Sequence, residues 1–412
     1  MKLLILAESL RINSTSSGIG RSKFIKSLED GGHDITCLYE NSHDITEINF
    51  LDSVKLYPVT YSLRKKSWID KIPKMRGIMT HLTLYHIDHQ HKVNEWIKSI
   101  NYFISKSKFD SIIVLGSGSS FIPHYAMLEI KTSIPWLANF HDPFPMSLYP
   151  EPYKASTNRI YKRQEKSTRD IIDKATFVSF PSLLLKEWMQ SFFPNIKEKS
   201  IILPHVGMKL NNLPDLLIDH EVQLEPNKFN ILHAGTLLGP RNIKSLFTAF
   251  ERFINYDDEI KKHAVLNVLG KIAKEQVEII ASNKENCNLN IITDRVSYKR
   301  SLKLTVDANV SLIIEADSDI SPFMPGKLAD LIFLEKPILA LTPKNSETLR
   351  ILGHNYPFTS RVNDEEQIFI KLLELWYLWK EQKLELPEKN RLKDYVSAKR
   401  FNNEVEKLFK KN

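Results

Sequence analysis

Apolar residues fall along this chain in short runs, each followed by a polar loop and then a longer stretch of helical period. The first run is KLLILAE, residues Lys2–Glu8. A short run without alternation suits a parallel strand buried on both faces. A Ser/Gly loop, NSTSSGIGRS, follows it. An amphipathic stretch to Leu28, a Gly31-Gly32 stop and a second strand at HDITCLY come next. Further strands are predicted within FDSIIVLGSGS, IPWLANFHDPFP, ATFVSFPS and SIILPHVG, with helix-length segments between them. This alternation predicts an α/β chain built on a doubly wound parallel sheet.

Residues 208–226, MKLNNLPDLLIDHEVQLEP, break the rhythm with Pro and Asn and read as a linker. A second series then begins, with strands at FNILHAG, AVLNVLG, LNIIT, NVSLIIE and PILALT. Helix-length segments such as IKSLFTAFERFI and PGKLADLIFL separate them. The reading is two doubly wound domains, residues 1–207 and 227–385, with a charged tail of helical period at 386–412. A length of 412 residues suits more than one domain.

Composition narrows the class. An apolar fraction of 42% suits a globular chain with ample core. The net charge of +8 points to a polyanionic or membrane-surface partner, or to solubility alone. No basic block reads as a nucleic-acid arm, so nucleic acid is not an expected partner. The two cysteines, Cys37 and Cys287, lie far apart and lack metal spacing. The opening apolar run is too short for a secretory signal, and no stretch reaches the roughly 18 apolar residues of a spanning helix. The expected location is the cytoplasm, including the inner face of the membrane.

Several stretches carry candidate chemistry. In STSSGIGRS, Ser17, Gly18 and Gly20 would let backbone approach a ligand before a helix start. The third glycine of a dinucleotide fingerprint is missing, and an ordinary strand-to-helix turn explains the stretch as well. In NFHDPFP, His141 and Asp142 follow a predicted strand, at the sheet edge where α/β ligands bind. They suit a general base or an electrostatic group, or a hydrogen-bonded loop pair. In ILHAGTLLGPRNIKSL, Gly235 and Thr236 lead to Arg241 and Lys244 at a helix start, which suits phosphate or a solvated basic face. In SPFMPGKLADLIFLEKPILAL, a Pro325-Gly326-Lys327 turn precedes a helix that holds Asp330. Helix starts attract anions, and a lysine there suggests phosphate. In YSLRKKSWIDKIPKMRG, residues Tyr61–Gly77, basic residues interleave with Trp68, Ile69, Ile72 and Met75. Such a segment can lie on an anionic bilayer or form a solvated loop.

Taken in order, these pieces resemble the retaining glycosyltransferases of family 4, and the resemblance covers most of the chain. It implies the GT-B architecture: two facing Rossmann-like domains, with a C-terminal helix returning to the N-terminal one. It implies a nucleotide-sugar donor on the C-terminal domain and a glycan or lipid-linked acceptor on the N-terminal domain. It implies sugar transfer with retention and no cofactor or bound metal. Arg241 and Lys327 would stabilise the leaving diphosphate. Gly235, Thr236, Gly270, Pro325 and Gly326 would line the donor. Val296 would contact the base and Asp330 the ribose. His141 and Asp142 would act near the transferred sugar. The resemblance departs at two places. The family commonly carries two glutamates where this chain has Pro322 and Asp330, and its Gly-Arg…Lys phosphate pattern is altered at Thr236 and Arg241. A Pro-Gly-Lys variant occurs among transferases of bacterial surface-polysaccharide synthesis. A sugar-nucleotide epimerase of the same architecture and a non-catalytic partner subunit remain alternatives.

Overall fold

The computed structural model describes residues 1–13, 16–40, 48–61, 89–118, 120–209, 213, 222–281, 286–293 and 296–410. The chain divides into two compact units. The first holds Met1–Tyr149, Tyr153–Pro204 and Phe401–Asn412, and the second holds Pro150–Pro152 and His205–Arg400.

The first unit is built on strands β1 (Lys2–Ala7), β2 (Asp34–Glu40), β3 (Lys55–Val59), β4 (Ser111–Leu115), β5 (Trp136–Asn139), β6 (Phe177–Phe180) and β7 (Ser200–Ile202). They pair in parallel in the order β3-β2-β1-β4-β5-β6-β7. The central strands are apolar because helices cover both faces, and Leu3 to Ala7 have no exposed surface. The helix His89–Lys106 buries Val93, Trp96 and Ile100, one stripe at helical spacing. Sequence pattern does not reveal β3. Its face is mostly exposed and it contains Pro58, which an edge strand tolerates.

The second unit has β8 (Phe229–Ala234), β9 (Ala264–Leu269), β10 (Leu289–Ile292), β11 (Val310–Ile314), β12 (Ile338–Leu341) and β13 (Thr359–Ser360). The order is β10-β9-β8-β11-β12-β13, again all parallel. In each sheet the order reverses at a central strand, β1 or β8. Ligands of open α/β sheets bind beyond the strand ends at that point.

The unit boundaries differ from the expected ones at the tail. Residues up to Arg400 cluster with the second unit, where Leu386, Leu392 and Val396 are buried. Arg391 donates there to the carbonyls of Ile351 (3.0 Å) and Leu352 (2.8 Å). From Phe401 the chain belongs to the first unit. The rings of Phe24 and Phe401 meet edge-on at 4.8 Å, and the Asn402 amide donates to the Ser27 carbonyl at 2.7 Å. Of the expected linker, only residues 208, 209, 213 and 222–226 are described, and Met208 and Leu213 are buried.

Candidate functional site

Strands β8 and β11 are neighbours and leave the sheet at Gly235 and Glu315. Gly235 has φ +146° and Gly270, after β9, has φ +127°. The Gly235 N–H donates to the Leu269 carbonyl at 2.8 Å. A Cβ on Gly270 would lie 2.5 Å from the Gly235 carbonyl oxygen. Backbone crowding therefore requires glycine at 270, whether or not a ligand is present.

The helix Gly326–Phe333 starts beside these strand ends. Pro325 precedes it with φ −59°, and no side chain caps it. The Leu328 N–H reaches the Pro325 carbonyl at 2.9 Å, which leaves the N–H groups of Gly326 and Lys327 ahead of the first intrahelical bond. It stops in a Schellman turn: Glu335 takes φ +55° and the Lys336 N–H reaches the Leu331 carbonyl at 2.9 Å. Leu328, Leu331 and Ile332 anchor it in the core. Each fully buried leucine or isoleucine contributes about 1.5–3 kcal/mol. The anchored face holds Lys327 in place at the first turn.

The Lys327 ammonium lies 3.2 Å from Nδ1 of His233, a buried residue of β8. Burial, with the charges of Lys327 and Arg241, holds His233 well below the usual imidazole range. A neutral ring then accepts at Nδ1 from the ammonium. Its Nε2 has no hydrogen-bond partner among the described residues. Lys327 keeps part of its surface open, but its charged end is crowded by protein. Burial and the Arg241 charge bring it down to about 7, and Glu315 partly offsets them. Arg241 sits in a turn closed by its N–H to the Leu238 carbonyl at 2.9 Å. Glu315 is buried, and burial raises its carboxyl while the hydroxyls around it and Arg241 lower it. Ser346 Oγ donates to it at 2.9 Å and Thr348 Oγ1 at 2.5 Å. Arg241 and Lys327 thus face one carboxylate and a neutral imidazole. Two basic side chains beside a helix start are an arrangement that can receive an anion.

The other sequence-derived residues spread around this centre. Gly326 is exposed, and a Cβ there would meet nothing within 4 Å. Thr236 is also exposed and Pro325 is half-buried. Pro322 is buried, in a segment tied down by the Ser321 N–H to the Asn345 carbonyl (2.8 Å) and the Glu347 N–H to the Ser321 carbonyl (2.9 Å). Asp330 is buried and accepts from the Tyr298 phenol at 2.8 Å. Burial first, then the Asp330 charge, raises that phenol well above its ordinary value. Val296 packs on the small cluster of Leu232, Leu269, Leu304 and Ala308.

In the first unit, His141 and Asp142 follow β5 and are half-buried. Asp142 lies near Gly118 and Tyr149: a Cβ on Gly118 would be 3.0 Å from Asp142 Oδ2. Burial and the Asp142 charge raise the Tyr149 phenol. Ser17, Gly18 and Gly20, expected in a loop, lie inside the helix Ser16–Asp30. The serines that read as loop instead begin the helix, and Gly18 faces the interior. Of the expected basic segment Tyr61–Gly77, all but Tyr61 lies outside the described residues.

Sequence reasoning missed His233, Glu315 and Tyr298, and a second buried cluster at the end of β1. There Glu8 accepts from Ser117 Oγ (2.9 Å) and from the Ile122 N–H (2.9 Å). Arg21 donates to the carbonyls of Ser9 (2.7 Å) and Gly116 (3.1 Å). Burial raises Glu8 and brings Arg21 down to about 10. Glu8 and Glu315 share one signal: an acid directly after an apolar stretch, LLILA for Glu8 and LII for Glu315. Among the described residues, no group of three or more His, Cys, Asp and Glu could hold a metal ion. No helix of these residues is long and apolar enough to cross a membrane.

No protein-family model matches this sequence, and no curated protein matches it at the level of sequence. Solved structures do match over its whole length. A glycosyltransferase from Rickettsia africae ESF-5 has a TM-score of 0.64 at 14% identity, covering 100% of this chain and 98% of that one. WaaG, a glycosyltransferase involved in lipopolysaccharide biosynthesis, has a TM-score of 0.56 at 12% identity, covering 99% and 98%. A UDP-GlcNAc 2-epimerase from Neisseria meningitidis, solved with UDP-GlcNAc, has a TM-score of 0.57 at 14% identity, covering 100% of both chains. The chain has the GT-B fold.

Proposed function

We propose that this chain is a retaining glycosyltransferase. It moves a sugar from a nucleotide-diphosphate sugar to a hydroxyl of a glycan or lipid-linked acceptor in cell-surface polysaccharide synthesis. The observation that carries the reading is the joint placement of Arg241 and Lys327 at the strand ends of the second unit, beside an uncapped helix start. When the anomeric C–O bond breaks, negative charge grows on the leaving diphosphate. Positioned cations and backbone N–H groups stabilise that charge without a bound metal. In the proposal Gly235, Thr236, Pro325 and Gly326 border the phosphates and sugar. Val296 meets the base, and Asp330, steadied by Tyr298, meets the ribose. His141 and Asp142 serve the acceptor side, His141 by contacting a sugar hydroxyl or carrying a proton near neutral pH. The WaaG-like fold supports the surface-glycan assignment.

The proposal places the protein in the cytoplasm and at the inner membrane face, with the Tyr61–Gly77 segment as the contact. Each basic residue near an anionic surface contributes roughly 1 kcal/mol. Sedimentation with anionic vesicles should therefore weaken with salt and with Arg64, Lys65 and Lys66 changed to Glu. Indifference to both removes the membrane part of the proposal.

A second reading, a sugar-nucleotide epimerase, is supported by the likeness to the UDP-GlcNAc 2-epimerase. Incubation with UDP-, GDP- and ADP-sugars in the absence of acceptor separates the readings. A transferase slowly releases nucleoside diphosphate and a sugar with unchanged ring carbons. An epimerase yields a sugar inverted at a ring carbon. A non-catalytic subunit yields neither.

A further inference from the structure

We propose that His233 is a positioning residue of this site: its buried ring holds the Lys327 ammonium at the start of the helix Gly326–Phe333, where an anion would meet it. The inference rests on the reading of Arg241 and Lys327 as a diphosphate grip, and adds to that grip a part that lies inside the sheet. Between Leu232 and Ala234 of β8, His233 has no exposed surface. An imidazole in such a place is costly unless it is hydrogen-bonded. Its Nδ1 lies 3.2 Å from the Lys327 Nζ. Among the described residues, that ring is the hydrogen-bond partner of Nζ.

The direction of the bond follows from charge. A protonated ring would set two cations 3.2 Å apart inside the protein. Burial and the charges of Lys327 and Arg241 oppose that second proton. The neutral ring therefore accepts at Nδ1 and carries its proton at Nε2. One of the three ammonium protons then points at His233, and two remain for an anion. The acceptor is fixed, because β8 is a central strand paired to β9 and β11. The lysine is not fixed by itself, since its stem is flexible and its end is a point charge. Held by a rigid acceptor, it has lost that freedom before the anion arrives, which favours binding. A histidine that served only as core filling would have no such effect, and an apolar residue of similar size would leave anion binding unchanged.

The probe is inorganic pyrophosphate, titrated by calorimetry into the full chain. His233→Asn puts an amide oxygen about where Nδ1 stands, and should keep the affinity of the unmodified protein. His233→Leu removes the acceptor, and should weaken binding by about five- to tenfold. In a Lys327→Met background the same change should have no further effect, because it acts through that amine. Equal affinity in the unmodified protein and His233→Leu overturns the proposal and leaves the anion site standing. A loss just as large in the Lys327→Met background overturns it too, since His233 would then act without the lysine. Should His233→Leu not fold, His233→Gln keeps a polar side chain but moves its oxygen to about the place of Nε2. That variant must show the same loss, and undiminished affinity in it overturns the proposal equally. An unmodified protein that binds no pyrophosphate refutes the anion-site reading itself, and the proposal with it.

Discussion

The two units repeat one topology and gather ionisable side chains at the same place, the ends of the central strands where the order reverses. Their chemistry differs. At the end of β1, Glu8 is met by Ser117 and the Ile122 N–H, and Arg21 is bound to two backbone carbonyls. That cluster is closed on the protein and ties the loops after β1 and β4 together. At the end of β8, Lys327 lies against His233 at the start of the helix Gly326–Phe333, with the charges of Arg241 and Glu315 near it. The fold supplies the crevice in both units. Whether it serves as a brace or, as proposed for the second unit, receives an anion depends on which side chains line it.

The largest test of that contrast is kinetic. Arg241→Ala and Lys327→Ala should each lower turnover by about 10²–10³ while leaving the melting temperature nearly unchanged. Equal turnover would make the second cluster another brace. In the first cluster the expectation is reversed. Glu8→Ala leaves the buried Ile122 N–H without its acceptor and the half-buried Ser117 hydroxyl with only the Ser120 carbonyl at 3.1 Å. It should cost on the order of 3 kcal/mol by denaturant unfolding. A loss under about 0.5 kcal/mol would show that the cluster is not a brace.

The glycines sharpen the contrast at smaller scale. Gly270→Ala places a Cβ against the Gly235 carbonyl at a φ that side chains rarely adopt, and should destabilise by about 1–3 kcal/mol. Gly326→Ala meets open space and should leave unfolding unchanged. If Gly326→Ala destabilises as much as Gly270→Ala, the helix start is not open.

A further test is a pH slope. Lys327 titrates near 7 in the folded protein and near the ordinary lysine value of 10.5 when unfolded. Between those values the unfolded chain binds more protons, so this group makes stability rise with pH. Lys327→Met should lose that rise in melting temperature, seen as a difference in slope from the unmodified protein. Parallel slopes would mean that Lys327 is not depressed.

Much of the fold was legible because both sheets are buried on both faces, so their strands stand out as apolar runs. Strands β3 and β13 were not, since an exposed edge containing Pro58 and a two-residue strand carry no such run. Arg241 and Lys327 were legible from their places near predicted helix starts. His233 and Glu315 were not, because one is hidden within a strand and the other is defined by partners distant in sequence, Ser346 and Thr348. The serines before Gly18 misled in the opposite direction. They suit a loop as well as a helix start, and only packing around Gly18 decides between them.

The central claim is that the second unit grips a nucleotide diphosphate through Arg241 and Lys327. Thermal shift with UDP-, GDP- and ADP-linked sugars, on the unmodified protein and on the Arg241→Ala/Lys327→Ala double variant, tests it most directly. One donor class at a hundred times its dissociation constant should stabilise the unmodified protein by about 2.7 kcal/mol and leave the double variant unmoved. A donor shift of equal size in both proteins, or none in either, would contradict the account.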